Sequence, residues 1–120
     1  DILVLASERD KEAFPRIVVE AMASGVPVLA TMVAGVPEAV TDGETGSLVD
    51  PDDFEAFVGA LRRLATDPGL RRRYGMAAVE RSRALFSMEA NAAAISDIYR
   101  RVTATGGTQP REVNSFAGIA

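Results

Sequence analysis

Residues 2–31 read ILVLASERDKEAFPRIVVEAMASGVPVLAT and contain the pattern of a strand, a helix and a second strand. The apolar run Ile2–Leu5 is typical of a strand that is buried on both faces. Pro15 suits the first position of a helix, and Gly25 is a residue that commonly follows a helix C-terminus. Pro27–Thr31 then predicts the next strand. Because strands joined through a helix pair in parallel with a right-handed crossover, the predicted fold class is α/β.

The rest of the chain predicts one more strand and three more helices. Asp42-Gly43 marks a tight turn before a short strand, Gly46–Val49. The helices are predicted over residues 53–66, 67–85 and 87–103, with Asp67 and Ser87 as N-caps of the last two. A doubly wound sheet has about five to six strands. We therefore expect a partial Rossmann-like parallel sheet of about three strands with C-terminal helices, and a disordered tail over residues 105–120.

Composition limits the chemistry that this chain can perform. The chain has 120 residues, of which 48% are hydrophobic and 25% charged, as in an ordinary globular domain. It contains no cysteine and no histidine, so disulfides, thiol nucleophiles, imidazole bases and the usual zinc sites are excluded. The net charge of −4 argues against nucleic acid as a partner. The aromatic residues show no stacking pattern, and we interpret five of them as packing residues: Tyr74, Tyr99, Phe54, Phe57 and Phe86.

Two glutamates stand out in and before the first predicted helix. Apolar side chains surround nearly the whole helix, so Glu20 is predicted to be buried and to need a partner. It either reaches water or a neighbouring loop, or it accepts hydrogen bonds from ligand hydroxyls. Glu12 lies in the loop at the carboxyl end of the first strand, where α/β sheets bind ligands. The helix N-terminus, with the amides of Arg16, Ile17 and Val18, favours an anion such as phosphate. A nucleotide-sugar has hydroxyls at both ends and phosphate in the middle, so it would match the two glutamates and the helix N-terminus together.

Residues 12–28, EAFPRIVVEAMASGVPV, resemble the Glu-x7-Glu signature of the family 4 (group 1) glycosyltransferases. Further segments agree with that family in the same order: Gly35-Val36-Pro37-Glu38, Asp42-Gly43 with Gly46, and Phe86-Ser87-Met88-Glu89. The resemblance covers roughly residues 2–103. The chain departs from the common motif at Ala13 and Pro15, where glycines usually flank the phenylalanine. This departure puts the donor preference in doubt.

The resemblance implies a fold, a reaction and a set of site residues. The fold is GT-B, two Rossmann-like domains facing across a cleft, and residues 1–104 correspond to the C-terminal part of its donor-binding domain. The reaction transfers a sugar from a nucleotide-sugar with retention at the anomeric carbon, typically without a metal or other cofactor. Glu12 is the implied catalytic residue, which contacts donor-sugar hydroxyls near the anomeric centre. Glu20 accepts hydrogen bonds from the ribose, and backbone amides around Phe14, Arg16 and Ile17 approach the sugar and diphosphate.

The resemblance also implies an N-terminal acceptor domain and basic diphosphate-binding residues upstream of Asp1, so we expect the isolated chain to be inactive. We expect the Ile2–Leu5 edge either to permit self-association or to pair with the tail of the same chain. A bacterial, cytoplasmic enzyme is expected, with the inner membrane surface as an alternative location. The rival function is a non-catalytic nucleotide-binding or oligomerisation module on the same half-fold. A receiver-like signalling domain is disfavoured because the only lysine, Lys11, is early in the chain.

Overall fold

The structure is a computed structural model that describes residues 1–8 and 14–104. Glu12 and the predicted tail, residues 105–120, lie outside the described residues. The elements in chain order are β1 (Leu3–Leu5), α1 (Arg16–Ala23), β2 (Val28–Thr31), α2 (Val36–Ala39), β3 (Gly46–Val49), α3 (Phe54–Thr66), α4 (Pro68–Phe86) and α5 (Met88–Ala104). Every predicted strand and helix is present, within about two residues of its predicted ends.

The three strands form one parallel sheet in the order β1-β2-β3. Leu3 pairs with Val28, and Val28 pairs in turn with Gly46. All four residues of the central strand, β2, are buried. These pairings confirm the predicted α/β class and the partial parallel sheet.

Helices cover the two faces of the sheet and form two apolar clusters. On one face, Val18 and Met22 of α1 pack with Val28 and Ala30 of β2 and with Ala78 of α4. On the other face, the cluster consists of Leu29, Val49, Ala60, Leu64 and Tyr74. Successive side chains of β2 therefore alternate between the two clusters, as expected for a strand that is covered on both faces.

The prediction that β1 is buried on both faces is wrong. Val4 is 43% exposed, and Leu3 and Leu5 are only partly buried. The described residues place one strand, β2, beside β1, and the helix α3 packs on β2 and β3. The face of β1 that carries Val4 is therefore open.

The end of α1 is fixed by hydrogen bonds and by a close approach to α4. Gly25 has a φ of 71°, its N–H donates to Met22, and the N–H of Val26 donates to the carbonyl oxygen of Ala21 at 2.9 Å. These two hydrogen bonds form a Schellman motif, which agrees with the prediction that Gly25 follows the C-terminus of the helix. Gly75 of α4 lies directly against this turn, because a Cβ built on it would be 2.2 Å from the carbonyl oxygen of Gly25. Backbone contact thus holds α1 against α4.

Side chains cap the later helices as predicted. Asp67 accepts a hydrogen bond from the N–H of Leu70 at 2.8 Å, and Ser87 accepts one from the N–H of Ala90 at 3.1 Å. The helix that Ser87 begins, α5, has no buried residue. The interpretation of Tyr99 as a packing residue is therefore wrong, since it is 69% exposed. The same interpretation is wrong for Phe54, which is 77% exposed at the start of α3. Tyr74 is buried as expected, and Phe57 and Phe86 pack against the two apolar clusters.

Candidate functional site

The first turns of α1 carry the described residues that the resemblance assigns to a donor site. Pro15 is the N-cap, one residue before the position predicted for it, and the helix begins at Arg16. The N–H of Val18 donates to the carbonyl oxygen of Pro15 at 3.0 Å. The amide of Val18 is therefore already engaged, contrary to the expectation that it is available to an anion. The amides of Arg16 and Ile17 lie in the first turn, where a helix supplies no carbonyl for them.

Glu20 is exposed, so the prediction of a buried carboxylate is wrong. Its side chain is 68% exposed and its Oε1 lies 3.8 Å from Nη2 of Arg16, whose side chain is 89% exposed. The helix α1 buries only Val18 and Met22, which face the sheet. The apolar residues around the helix do not all have a packing partner, and Glu20 reaches water on the open side. An exposed pair of this spacing contributes only about 0.3–0.5 kcal/mol, so both side chains are available to a ligand.

A groove of about 430 Å³ runs along this open side of α1. It is lined by Phe14, Arg16, Val19, Glu20, Phe86 and Asn91. The rings of Phe14 and Phe86 have centroids 5.6 Å apart and planes tilted by 51°, a favourable arrangement for an aromatic pair. The described lining of the groove thus combines an aromatic wall with a carboxylate, a guanidinium and an amide.

The groove brings together three of the predicted donor residues, Phe14, Arg16 and Glu20. Ile17 is exposed but does not line it, and Glu12 lies outside the described part of the chain. From the sequence, Phe86 was interpreted as a packing residue and Asn91 was given no role, but both line the groove. Phe86 belongs to a segment that agrees with the glycosyltransferase family, which was an available signal, whereas nothing in the sequence distinguished Asn91.

A second cavity, of about 440 Å³, lies at the carboxyl ends of the strands. Its lining includes Ser7 after β1, Thr31 at the end of β2 and Asp50 after β3. The hydroxyl of Thr31 donates to the carbonyl oxygen of Ser7 at 2.7 Å and joins two of these ends. This is the edge at which α/β sheets commonly bind ligands. None of the described residues that the resemblance assigns to the donor site lines this cavity.

Residues 1–81 match the family described as glycosyl transferases group 1. The chain belongs to this family. Among curated relatives, a D-inositol 3-phosphate glycosyltransferase of Streptomyces avermitilis is 40% identical over 115 residues, which are 96% of this chain and 24% of the relative. The corresponding protein of Kribbella flavida is 44% identical over 94 residues, 78% of this chain and 22% of the relative.

Solved structures support the same family assignment. A sucrose-phosphate synthase of Thermosynechococcus elongatus superposes with a TM-score of 0.75 at 38% identity, over 87% of this chain and 26% of that chain. HepE of Anabaena in complex with UDP-glucose superposes with a TM-score of 0.69 at 24% identity, over 82% and 27% of the two chains. The described sheet and helices are therefore part of a GT-B fold.

The chain spans about a quarter of the length of the curated relatives that it matches. No helix within residues 1–8 and 14–104 is both long and apolar enough to cross a membrane.

Proposed function

We propose that the polypeptide containing this chain transfers a sugar from a nucleotide-sugar to an acceptor with retention of the anomeric configuration. In this proposal, the chain supplies part of the donor site. The observation that carries it is the groove beside α1, where Phe14, Arg16 and Glu20 meet. These residue types were assigned to donor binding by resemblance, and their common groove gives one ligand access to all three.

The ribose is proposed to bind at Glu20. A carboxylate accepts hydrogen bonds and donates none, so it suits the two adjacent hydroxyls of a ribose. The exposure of Glu20 supports this role, because a ligand can reach the carboxylate without first displacing a buried partner. The weak pairing with Arg16 keeps the carboxylate close to a positive charge without enclosing it.

The diphosphate is proposed to bind at the start of α1. The amides of Arg16 and Ile17, for which α1 supplies no carbonyl, and the positive end of the helix dipole both favour an anion. The guanidinium of Arg16 adds a full positive charge beside the groove. Since Pro15 cannot donate and the amide of Val18 is engaged, this anion site offers fewer backbone donors than a typical helix N-terminus. Further basic groups are proposed to come from the upstream part of the polypeptide.

The catalytic residue is proposed to be Glu12, which contacts donor-sugar hydroxyls near the anomeric carbon. Preorganised groups beside the carbon where charge develops affect the rate more than groups that hold a distant part of the substrate. The proposal includes no metal, as the resemblance implies. It places the enzyme in the cytoplasm or at the inner surface of the membrane.

The donor and acceptor classes are proposed from what the similar proteins are named for or bind. The complex of HepE with UDP-glucose, on a similar fold, supports a nucleotide-sugar as the donor class. The relatives named for D-inositol 3-phosphate favour a phosphorylated polyol as the acceptor class. An acceptor site is proposed to lie upstream of this chain, so none of its residues is assigned to the acceptor.

Kinetics and binding in the full polypeptide test this function. We expect Glu12→Ala to lose most of the transfer rate, and Glu20→Ala to weaken donor binding by about 1–3 kcal/mol, as for a hydrogen-bonding charged group. Glu80→Ala, which removes an exposed acid of α4, is the matched control and should change neither quantity. The configuration of the product, read by NMR, tests retention.

If Glu20→Ala binds donors like the control, Glu20 is not a donor-binding residue. Donor binding without transfer to any phosphorylated polyol or sugar would favour the rival function, a non-catalytic nucleotide-binding module.

A further inference from the structure

The groove beside α1 has a second wall, which comes from the start of α5. Ser87 fixes this helix start, since its Oγ accepts from the N–H of Ala90 and its carbonyl oxygen accepts from the N–H of Asn91 at 3.0 Å. The side chain of Asn91 is exposed and lines the groove that Glu20 also lines. Two helices that are distant in sequence therefore present a carboxylate and an amide to the same space.

The Glu20 carboxylate and the Asn91 amide together match the hydrogen-bonding groups of a diol. Each hydroxyl has one proton to donate and lone pairs that accept, whereas a carboxylate only accepts. A ribose held by Glu20 alone would leave its oxygen lone pairs without a donor from the protein. Among the described residues that line the groove, two have side chains that donate: Arg16 through its guanidinium and Asn91 through its amide. In the proposed function Arg16 serves the diphosphate, which leaves Asn91 for the hydroxyls.

We propose that Asn91 is a further donor-binding residue, whose side-chain N–H donates to the ribose hydroxyl that itself donates to Glu20. This inference rests on the proposed function, because it requires the groove to hold a nucleotide. The aromatic wall supports it, since the Phe14–Phe86 pair offers an apolar surface to the carbon face of the ring. Phe86 ends α4 just before the cap of α5, so the same junction positions both the aromatic wall and the amide.

The test uses the full polypeptide and, as probe, whichever of UDP, GDP and ADP binds it most tightly. We expect Asn91→Ala to raise the dissociation constant about three- to tenfold, the net value of one or more neutral hydrogen bonds. Asn91→Asp should weaken binding more than Asn91→Ala, because it removes the donor and adds a negative charge near Glu20 and the phosphates. Ser96→Ala changes another exposed polar side chain of α5 and should leave binding unchanged.

Deoxynucleotides separate a direct contact from a structural effect. For the 2′-deoxy or the 3′-deoxy form of the probe, the loss caused by Asn91→Ala should fall below twofold, because the hydroxyl that Asn91 contacts is already gone. A loss that is equal for the ribose and both deoxy forms would overturn the inference. Unchanged binding by Asn91→Ala, together with weakened binding by Glu20→Ala, would overturn the inference and leave the proposed function standing. If neither substitution affects binding, or if no nucleotide binds, both fail.

Discussion

Gly75 of α4 and Gly25 after α1 touch through their backbones, and the substitution Gly75→Ala tests whether this contact positions α1. The added Cβ would lie 2.2 Å from the carbonyl oxygen of Gly25 and 3.1 Å from its carbonyl carbon. No side chain can rotate to relieve this overlap, because the opposing atoms belong to the backbone. The two segments must therefore move apart by about 1 Å to restore ordinary van der Waals contact.

Two opposing contributions set the expected change in stability. Overpacking typically costs about 1–3 kcal/mol, and a clash of backbone against Cβ belongs at the upper end of that range. Alanine in place of glycine inside a helix gains about 1 kcal/mol. We therefore expect Gly75→Ala to lower the free energy of unfolding by about 2 kcal/mol. A Cβ on Gly59, a helical glycine of α3, meets no atom within 4 Å, so Gly59→Ala should raise stability by up to about 1 kcal/mol.

Urea denaturation of both variants measures these values, with the unsubstituted chain as reference. The two glycines lie in helices, so helix propensity cancels in the comparison and the remaining difference, about 3 kcal/mol, reports the clash. If Gly75→Ala is as stable as Gly59→Ala, the contact between α4 and the turn after α1 does not hold the two helices together. Because α1 forms one wall of the groove, Gly75→Ala in the full polypeptide should also weaken nucleotide binding.

Three further outcomes follow from the described contacts. Asp67→Ala removes the acceptor for the N–H of Leu70, and we expect a loss of about 1 kcal/mol in urea denaturation, which Asp67→Asn should largely avoid. Arg81→Met removes hydrogen bonds at 2.7 and 2.9 Å to the carbonyl oxygens of Ala39 and Glu38, and we expect the free energy of unfolding to fall by about 1.5 kcal/mol. Arg81→Lys should retain only part of this stability, because an ammonium cannot replace both hydrogen bonds of the guanidinium. The isolated chain should associate through the open edge of β1, and Val4→Lys should shift it toward the monomer in light scattering. A monomer at all concentrations would contradict pairing at this edge.

Most of the fold could be predicted because local signals mark the ends of its elements. Asp67 and Ser87 cap their helices in the structure, and Gly25 closes α1, as their residue types predict. Burial was less predictable. An apolar residue such as Val4 can be buried, but its type does not show whether another element of the fold covers it. In the structure Val4 lies on the open face of β1 and is 43% exposed.

The site could be predicted only where its residues lie close together in the chain. Phe14, Arg16 and Glu20 belong to one continuous motif, and one helix start places them in one groove. Phe86 and Asn91 reach that groove through the packing of α4 against α1, which a single sequence does not reveal. Glu20 was predicted to be buried but is exposed, for a related reason. The apolar residues of α1 do not reveal how many neighbouring elements pack around this helix.

The parallel pairing of the strands has a consequence for how the chain is made. Leu3 pairs with Val28 and Val28 with Gly46, so each pairing joins segments that are separated by a crossover. Closing such loops costs entropy before the hydrogen bonds compensate, which slows folding relative to local hairpins. Among the described strands, β1 is synthesised first and its described neighbour β2 follows only after α1, and β2 gains its second described neighbour only with β3. The β1–β2 pairing can therefore form only after α1 has been synthesised, and the β2–β3 pairing only after α2.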